Sequence, residues 1–289
     1  VMVLTAGTDS FEQIINYGLE PGIPNMYSLK LLCEVLEKRG MKNFPIHVKL
    51  DTGMHRLGFM TDELAELEDF LRTCSLVTVK SVYSHLAAAD DPECDDFTLG
   101  QIRLFMANAD RLSDSIGYKP LYHILNSAGI ERFPQYQFDM VRLGIGIYGV
   151  SAIPDTRLSP VASFKCKILQ IKTLRPEDGT IGYGRRGKIA EEGTVVATIP
   201  VGYADGLDRH LSGGRGSFSV NGHRVPTIGN ICMDMSMLDV TGIDVKVGDT
   251  VTIFGEDPTI MELARLLGTI PYEILTSVPR RIERIIVRK

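Results

Sequence analysis

The sequence has no long apolar segment, no basic cluster and no repeated or low-complexity tract. A membrane-spanning helix needs about 20 consecutive apolar residues, and no run in this chain approaches that length. A net charge of −5, without basic residues interleaved with aromatic ones, offers no electrostatic footprint for nucleic acid. We therefore expect neither a membrane nor a nucleic-acid partner for these 289 residues, whose composition is 44% hydrophobic and 23% charged, as in ordinary globular proteins.

Paired cysteine motifs are also missing. The sequence has five widely spaced cysteines and no Cys-x-x-Cys pair: Cys33, Cys74, Cys94, Cys166 and Cys232. This pattern argues against a disulfide framework and against a structural zinc site. We predict a reducing compartment, the cytoplasm, and no bound metal.

The first 155 residues alternate between strand-like and helix-like segments. Six apolar runs are predicted as strands, at residues 1–4, 25–28, 46–50, 79–84, 121–125 and 140–148. Amphipathic segments such as "LKLLCEVLEKRG" lie between them, and this rhythm predicts a parallel sheet. Six strands suggest a partial (β/α)8 barrel without its first two strand–helix units. Because the chain starts inside a strand-like run, "VMVLTAG", we expect further chain before Val1.

Residues 156–289 are predicted to form a second, mainly β domain. Strand-like segments follow one another there with turns rather than helices between them. Asn221-Gly222 suits the tight turn of a hairpin, and one helix is predicted at residues 260–267. The expected fold class is therefore α/β followed by all-β.

Polar residues follow four of the predicted strands of the first domain. In a parallel α/β barrel, ligands bind at the carboxyl ends of the strands. These ends supply Lys49, Asp51, Arg56, His85, Asn126, Ser127, Arg142, Gly144 and Gly146. Singly, His85 reads as a core histidine and Lys49 with Asp51 as an internal ion pair. Together, the cations, hydroxyls and amides favour an anion pocket, without identifying the anion.

A second cluster lies in the β domain. Tyr183 and Tyr203 each stand between glycines or near them, in "IGYGRR" and "PVGYADG". The segment "GNICMDM" supplies Cys232, Met233 and Asp234. On residue type alone, these are turns with an aromatic side chain and ordinary core packing.

In their order along the chain, these stretches resemble the alanine racemases, pyridoxal-phosphate enzymes of fold type III. The matching stretches are "KLDTGMHRLGF", "SHLAAAD", "NSAG", "RLGIGIYG", "GYGR", "PVGYADG", "GNICMDM" and "VPRRIER". The resemblance implies a barrel followed by a β domain, paired head-to-tail in a homodimer whose active sites use both chains. It also implies interconversion of L- and D-alanine by two bases, which supplies peptidoglycan precursors for the cell wall.

The resemblance implies a role for each residue of the cofactor pocket. Arg142 would donate to the pyridine nitrogen of pyridoxal 5′-phosphate, and His85 would hydrogen-bond to Arg142. The phosphate would be held by Ser127, the amides of Gly144 and Ile145, and the hydroxyl of Tyr272, with Asn126 beside them.

The remaining implied roles concern the substrate. Tyr183, from the partner subunit, would be one of the two bases, and a free tyrosine, with a pKa of about 10, needs cations nearby to act as one. Arg56 would bind the substrate carboxylate, oriented by a carbamylated Lys49. The partner's substrate-lining set would be Tyr203, Cys232, Met233 and Asp234.

The match also has departures. The family's covalent lysine stands in a motif of the type lysine-alanine-aspartate-alanine-tyrosine-glycine, which this sequence lacks. We therefore expect an inactive fragment of a racemase. His55 and Asn230 replace a glycine and an arginine that are common in the family. Three alternatives stay open: another fold-type III racemase or decarboxylase, a non-catalytic cofactor carrier, and a dimerisation remnant. Because some alanine racemases are fused behind a cell-wall ligase, chain before Val1 could also belong to such a fusion.

Overall fold

A computed structural model describes residues 1–151, 153 and 158–287. The chain forms two compact units, unit 1 mainly from Val1–Gly146 and unit 2 mainly from Leu158–Lys289. The domain boundary predicted at residues 155 and 156 lies outside the described residues. In the described part, no helix is both long and apolar enough to cross a membrane.

Unit 1 contains a five-stranded sheet in which each strand pairs in parallel with the next along the chain. The strands are β1 (Met2–Val3), β2 (Glu20–Ile23), β3 (Phe44–Lys49), β4 (Val77–Tyr83) and β5 (Leu121–His123). The described helices are α1 (Phe11–Asn16), α2 (Met26–Lys38), α3 (Leu64–Thr73), α4 (Asp95–Ile116) and α5 (Ser127–Arg132). The predicted parallel sheet with alternating helices is confirmed.

Two of the predicted strands are wrong. Residues 25–28 begin α2, because the Asn25 side chain accepts a hydrogen bond from the Ser28 amide (2.9 Å) and caps the helix. The strand lies earlier, in β2. The sequence pattern did not indicate it, because it contains Pro21 and Gly22 and both residue types are rare in strands. Residues 140–148 form no strand, because glycines interrupt the run and Ile145–Tyr148 forms a 3₁₀ turn.

The core of unit 1 is formed by the buried faces of its helices and strands. On α2 the buried apolar positions are Leu29, Leu32, Cys33 and Leu36, the spacing that places side chains on one helical face. That face joins a single cluster with the apolar residues of β3 and β4, such as Ile46 and Val79. This packing fixes the sheet, and the sheet fixes the directions of the loops that leave its carboxyl edge.

Unit 2 is mainly β, as predicted, and all its strand pairs in the described residues are antiparallel. Its strands are β6 (Phe164–Lys167), β7 (Gln170–Leu174), β8 (Thr180–Ile181), β9 (Gly187–Lys188), β10 (Thr194–Ile199), β11 (Ser217–Val220), β12 (His223–Pro226), β13 (Ser236–Asp239) and β14 (Thr250–Phe254). They form sheets in the orders β13-β10-β7, β12-β11-β14-β6 and β8-β9.

The hairpin and the helix predicted for this unit are confirmed. Asn221 and Gly222 join β11 to β12 and have φ values of 48° and 79°. Both values are left-handed, as a type I′ turn requires. Helix α6 (Ile260–Leu267) lies where it was expected. A further helix, α7 (Pro271–Ser277), was missed, although proline is favoured at a first helical position.

Candidate active site

The loop after β3 is built by the carboxylate of Asp51. Its Oδ1 accepts hydrogen bonds from the amides of Gly53 (2.9 Å) and His55 (3.0 Å), which closes a tight turn. His55 has a φ of 51°, a left-handed conformation that is uncommon outside glycine but is adopted more often by asparagine, aspartate and histidine than by other residues. At the end of the loop, the Phe59 amide donates a hydrogen bond to the Lys49 carbonyl (2.8 Å). Asp51 therefore shapes the loop that carries the exposed Arg56.

Lys49 lies at the end of β3 and is only 7% exposed. Burial lowers the pKa of its amine, the charges of Arg56 and Arg142 lower it further, and Asp51 partly opposes them. Among the described residues, its Nζ makes no hydrogen bond. A buried amine beside two guanidinium groups loses its proton more readily than a free lysine, which makes it more nucleophilic.

Arg142 is the most densely bonded cation of unit 1. Its Nη1 donates to Nδ1 (2.6 Å) and the carbonyl (3.2 Å) of His123. Its Nη2 donates to the carbonyls of Ser84 (2.5 Å) and Ile124 (3.1 Å), and contacts Nδ1 of His85 at 3.4 Å. Burial lowers the pKa of Arg142 to about 10, which still leaves it charged at neutral pH. The ends of β4 and β5 thus hold one fixed positive group.

A row of buried side chains continues from Arg142 across the sheet. His123 Nε2 lies 3.0 Å from Ser81 Oγ, which lies 2.6 Å from His47 Nδ1, and His47 Nε2 lies 2.9 Å from Glu20 Oε2. A guanidinium can only donate and a carboxylate can only accept. Both ends therefore assign the same tautomer, with the proton on Nε2, to His123 and His47, and direct every hydrogen bond towards Glu20.

The histidines of this site are held neutral. Burial lowers the pKa of His123 to about 3 and that of His85 to about 4, and the Arg142 charge reinforces both shifts. Burial also lowers the pKa of His47, so its contact with Glu20 is a neutral hydrogen bond. The Glu20 carboxyl has a lowered pKa chiefly because Lys80 donates to it (2.6 Å).

Acid should destabilise unit 1 through His123. Its folded pKa of about 3 lies below the free value of 6.5, so between these pH values the unfolded chain binds more protons. The free energy of unfolding therefore falls as pH falls through this window, by up to about 1.4 kcal/mol per pH unit for one such group. Urea unfolding should show a shallower pH dependence for His123→Gln, which keeps an acceptor and a donor.

His210→Gln is the control, because His210 is a well-exposed histidine of unit 2. The pH dependence of His123→Gln should be shallower than that of this control. A His123→Gln curve parallel to the wild-type curve between neutral pH and about pH 5 would contradict the assignment of His123 as buried and neutral.

Ser127 and the glycine loop after residue 142 form the second part of the unit 1 site. The amides of Gly144 (2.9 Å) and Gly146 (3.2 Å) both donate to Ser127 Oγ. A Cβ at Gly146 would lie 2.8 Å from Leu143 Cδ1, so a larger residue there would require the exposed Leu143 side chain to move. Ile145 is buried between the two glycines. Two converging amides and a hydroxyl are the donor set that a phosphate requires.

The Asn126 side chain makes two hydrogen bonds beside Ser127. Its Oδ1 accepts from the Gly129 amide (3.0 Å) and caps α5, and its Nδ2 donates to the Leu86 carbonyl (3.3 Å). Its amide therefore fixes Ser127 relative to the segment that follows His85.

In unit 2, one segment, residues 229–235, connects the two tyrosine loops. The Tyr203 amide donates to the Cys232 carbonyl (3.0 Å) and the Ala204 amide to the Met233 carbonyl (2.8 Å). The Asn230 side chain donates to the Tyr183 carbonyl (2.9 Å). Tyr183, Tyr203, Cys232, Met233 and Asp234 therefore belong to one loop cluster, from which the side chains of Tyr183, Tyr203 and Met233 project into solvent.

Tyr272 stands elsewhere in unit 2, in the first turn of α7, and its side chain is exposed. Its carbonyl accepts from Thr276 Oγ1 (2.8 Å). Helix α7 is tied to the Tyr203 loop at its other end, where Ser277 Oγ donates to the Gly206 carbonyl (3.2 Å).

The donors of unit 1 suit a ligand with several negative charges. Lys49, Arg56 and Arg142 are cations, and the carboxylate of Asp51 is already bonded to loop amides. A phosphate group and a carboxylate would match the hydroxyl, amides and guanidinium groups. In the described residues, no group of three or more histidine, cysteine or acidic side chains could hold a metal ion.

Several contacts of these sites could not be read from the sequence. His123 is one residue of a short strand, and its contacts with Arg142 (2.6 Å) and Ser81 (3.0 Å) are seen only in the structure. Gly146 was noted for its spacing, but the structure assigns it an amide donor. Asn230 was noted as a departure, and its contact with the Tyr183 carbonyl had no signal in the sequence.

Comparison with known proteins bears on both units. Residues 1–152 match the family model for the alanine racemase N-terminal domain, and residues 161–286 that for the alanine racemase C-terminal domain. Alanine racemase 2 of Bacillus subtilis is 37% identical over 273 residues, which cover 90% of this chain and 68% of that protein.

Two solved structures are also similar. The alanine racemase of Clostridium difficile 630 has 30% sequence identity and a TM-score of 0.86, covering 97% of this chain and 74% of that one. The alanine racemase of Bartonella henselae, solved with covalently bound pyridoxal phosphate, has 30% identity and a TM-score of 0.84, covering 98% of this chain and 78% of that one.

Proposed function

This chain belongs to the alanine racemase family, an enzyme family, and from that premise we propose that it carries the cofactor- and substrate-binding side of an enzyme that interconverts L- and D-alanine. The observation that supports this most strongly is the half-buried Arg142, bonded to the ends of β4 and β5 in the unit that also holds the hydroxyl and amides around Ser127. The five-stranded sheet would be part of a (β/α)8 barrel.

Pyridoxal 5′-phosphate is the proposed cofactor. When bound, it delocalises the negative charge left on the α-carbon of an amino acid that has lost its α-proton. Ser127 and the amides of Gly144, Ile145 and Gly146 would hold its phosphate, together with the Tyr272 hydroxyl. Arg142 would donate to the ring nitrogen, and the neighbouring His123 would not compete for that acceptor, because its single N–H already donates to Ser81 Oγ. The residues present fit this group.

Arg56 would bind the substrate carboxylate as a two-pronged donor. The lowered pKa of Lys49 favours reaction of its amine with carbon dioxide. We propose that the resulting carbamate, an anion, pairs with Arg56 and orients it. An intact-mass increase by one carbon dioxide, lost in Lys49→Ala, would support the carbamate, and its absence in bicarbonate buffer would refute it.

Tyr183 would move the α-proton on one face of the substrate. The exposed phenol projects from a loop of unit 2, as a group must if it serves a site outside its own unit's core. In the proposed head-to-tail homodimer, Tyr183 and the segment with Tyr203, Cys232, Met233 and Asp234 would complete the partner's site. The product D-alanine would serve cell-wall synthesis in the cytoplasm.

Residues 1–289 contain no lysine in the family's covalent motif. We propose that these residues alone hold the cofactor by the non-covalent contacts above and racemise alanine negligibly. Borohydride treatment with the cofactor present should therefore leave the mass of the protein unchanged. A reduced cofactor fixed to any lysine of this chain would overturn the proposal.

The function is tested by complementation. A lysine-bearing segment of the Bacillus subtilis relative, joined to this chain, should yield a protein that racemises L-alanine. In that protein, Tyr183→Phe should lower kcat/KM by roughly 10²- to 10⁴-fold, the contribution of one proton-transfer group, without weakening cofactor binding. Tyr17→Phe is the control, because Tyr17 is as exposed but lies in unit 1.

Two results would refute the proposal in different ways. In the protein joined to the lysine-bearing segment, cofactor binding without racemisation would indicate a carrier, and carbon dioxide release from amino acids would indicate a decarboxylase.

A further inference from the structure

Tyr183 lies on a loop that regular structure barely supports. The flanking strands β8 and β9 have two residues each and pair only with each other in the described sheets. Three residues of the loop have left-handed backbones: Gly182 (φ 73°), Gly184 (φ 69°) and Arg185 (φ 56°). A left-handed arginine is strained, so the loop needs contacts elsewhere to keep its shape.

Asn230 supplies such a contact at the tyrosine itself. Its Nδ2 donates to the Tyr183 carbonyl at 2.9 Å. The same Nδ2 would lie 3.6 Å from a Cβ built on Gly184. The backbone nitrogen of Asn230 would lie 3.6 Å from a Cβ built on Gly182. Asn230 is thus packed against both neighbours of Tyr183.

Asn230 is itself held firmly. On one side, the Gly213 amide donates to the Gly229 carbonyl (2.9 Å). On the other, the Ile231 amide donates to Ser212 Oγ (3.0 Å). The donor that reaches the Tyr183 carbonyl therefore projects from a backbone anchored to the body of unit 2.

We propose that Asn230 is a positioning residue that fixes the direction of the Tyr183 side chain. This inference rests on the proposed function, in which Tyr183 is a base. Anchoring the carbonyl restricts rotation between Tyr183 and Gly184, and with it the direction in which the phenol leaves the loop. Proton transfer needs heavy atoms within about 3.2 Å, so a loop free to rock would lower the rate without altering substrate or cofactor contacts.

Hydrogen exchange on the 289-residue chain tests the contact without any activity. Asn230→Asp keeps the shape but loses the donor, and Asn230→Ala loses both without adding charge. In both variants the amides of residues 182–186 should exchange about fivefold faster, the effect of one lost hydrogen bond. Exchange in β11 and β12 should stay unchanged, which shows that unit 2 remains folded. Asn43→Asp, the same change at an exposed left-handed position of unit 1, should leave residues 182–186 unaffected.

The complemented protein tests the consequence. Asn230→Ala should lower kcat about tenfold, with the KM for alanine and the affinity for pyridoxal phosphate unchanged. Unchanged exchange at residues 182–186, or faster exchange with full kcat while Tyr183→Phe still loses activity, would overturn the positioning role alone. Full activity of Tyr183→Phe would instead overturn the proposed function at that residue, and the positioning role with it.

Discussion

Replacing Arg142 with alanine should lower the free energy of unfolding of unit 1 by more than about 3 kcal/mol and abolish binding of pyridoxal phosphate. The change leaves three acceptors without their donor at the carboxyl edge of the sheet: the carbonyls of Ser84 and Ile124, and His123 Nδ1. Each unpaired buried polar group costs about 1–3 kcal/mol. Urea unfolding and hydrogen exchange in β4 and β5 would measure the loss.

The matched control is Arg224→Ala. Arg224 also makes several contacts, to Asp257, Glu262 and the Ser217 carbonyl, but it is partly exposed at the surface of unit 2. Surface ion pairs contribute about 0–1 kcal/mol, so this variant should stay near the wild type and leave cofactor binding intact. An Arg142→Ala variant as stable as Arg224→Ala would show that the Arg142 contacts do not organise the strand ends.

Replacing Gly202 with alanine should separate the two loops that carry Tyr203 and Met233. An alanine Cβ would lie 2.3 Å from the Cys232 carbonyl oxygen and 2.5 Å from both the Met233 carbonyl carbon and the Asp234 amide nitrogen. These are backbone atoms, so no side-chain rotation relieves the clash. We expect a loss of at least about 2 kcal/mol and, in a complemented racemase, a higher KM for alanine.

Gly100→Ala provides the comparison. Gly100 lies inside α4, where an added Cβ would meet nothing closer than Arg103 Nη2 at 3.9 Å. Alanine is favoured over glycine in a helix interior by about 1 kcal/mol, so this variant should be slightly stabilised. If Gly202→Ala were as stable as Gly100→Ala, the loops would have room that the backbone distances deny.

The sequence predicted those features that depend on local pattern. The strands around Ile46 and Val79, the helices between them and the Asn221-Gly222 turn follow from periodicity and turn chemistry, and they were found where expected. The strand β2 was missed because Pro21 and Gly22 carry no strand signal, although its neighbour β3 pairs with it. Tertiary pairing overrides weak propensity there.

Site residues were predictable when they stand at strand ends, and less so when they act through partners. Lys49 is the last residue of β3, and His85 and Ser127 come a few residues after β4 and β5, which brought them forward as candidates. The bonds of His123 and Asn230 join residues 19 and 47 positions apart. Such contacts depend on how distant segments meet, and a single sequence does not contain that information in any local pattern.

The row of side chains from Glu20 to His123 takes one member from each of four adjacent strands, β2 to β5. Sliding any of these strands by one position would turn its member to the opposite face of the sheet. The row therefore fixes the register of the four strands through side-chain hydrogen bonds, in addition to the backbone hydrogen bonds of the sheet. In a sheet with the wrong register, an imidazole or a carboxylate would lie among aliphatic side chains without its hydrogen-bond partner.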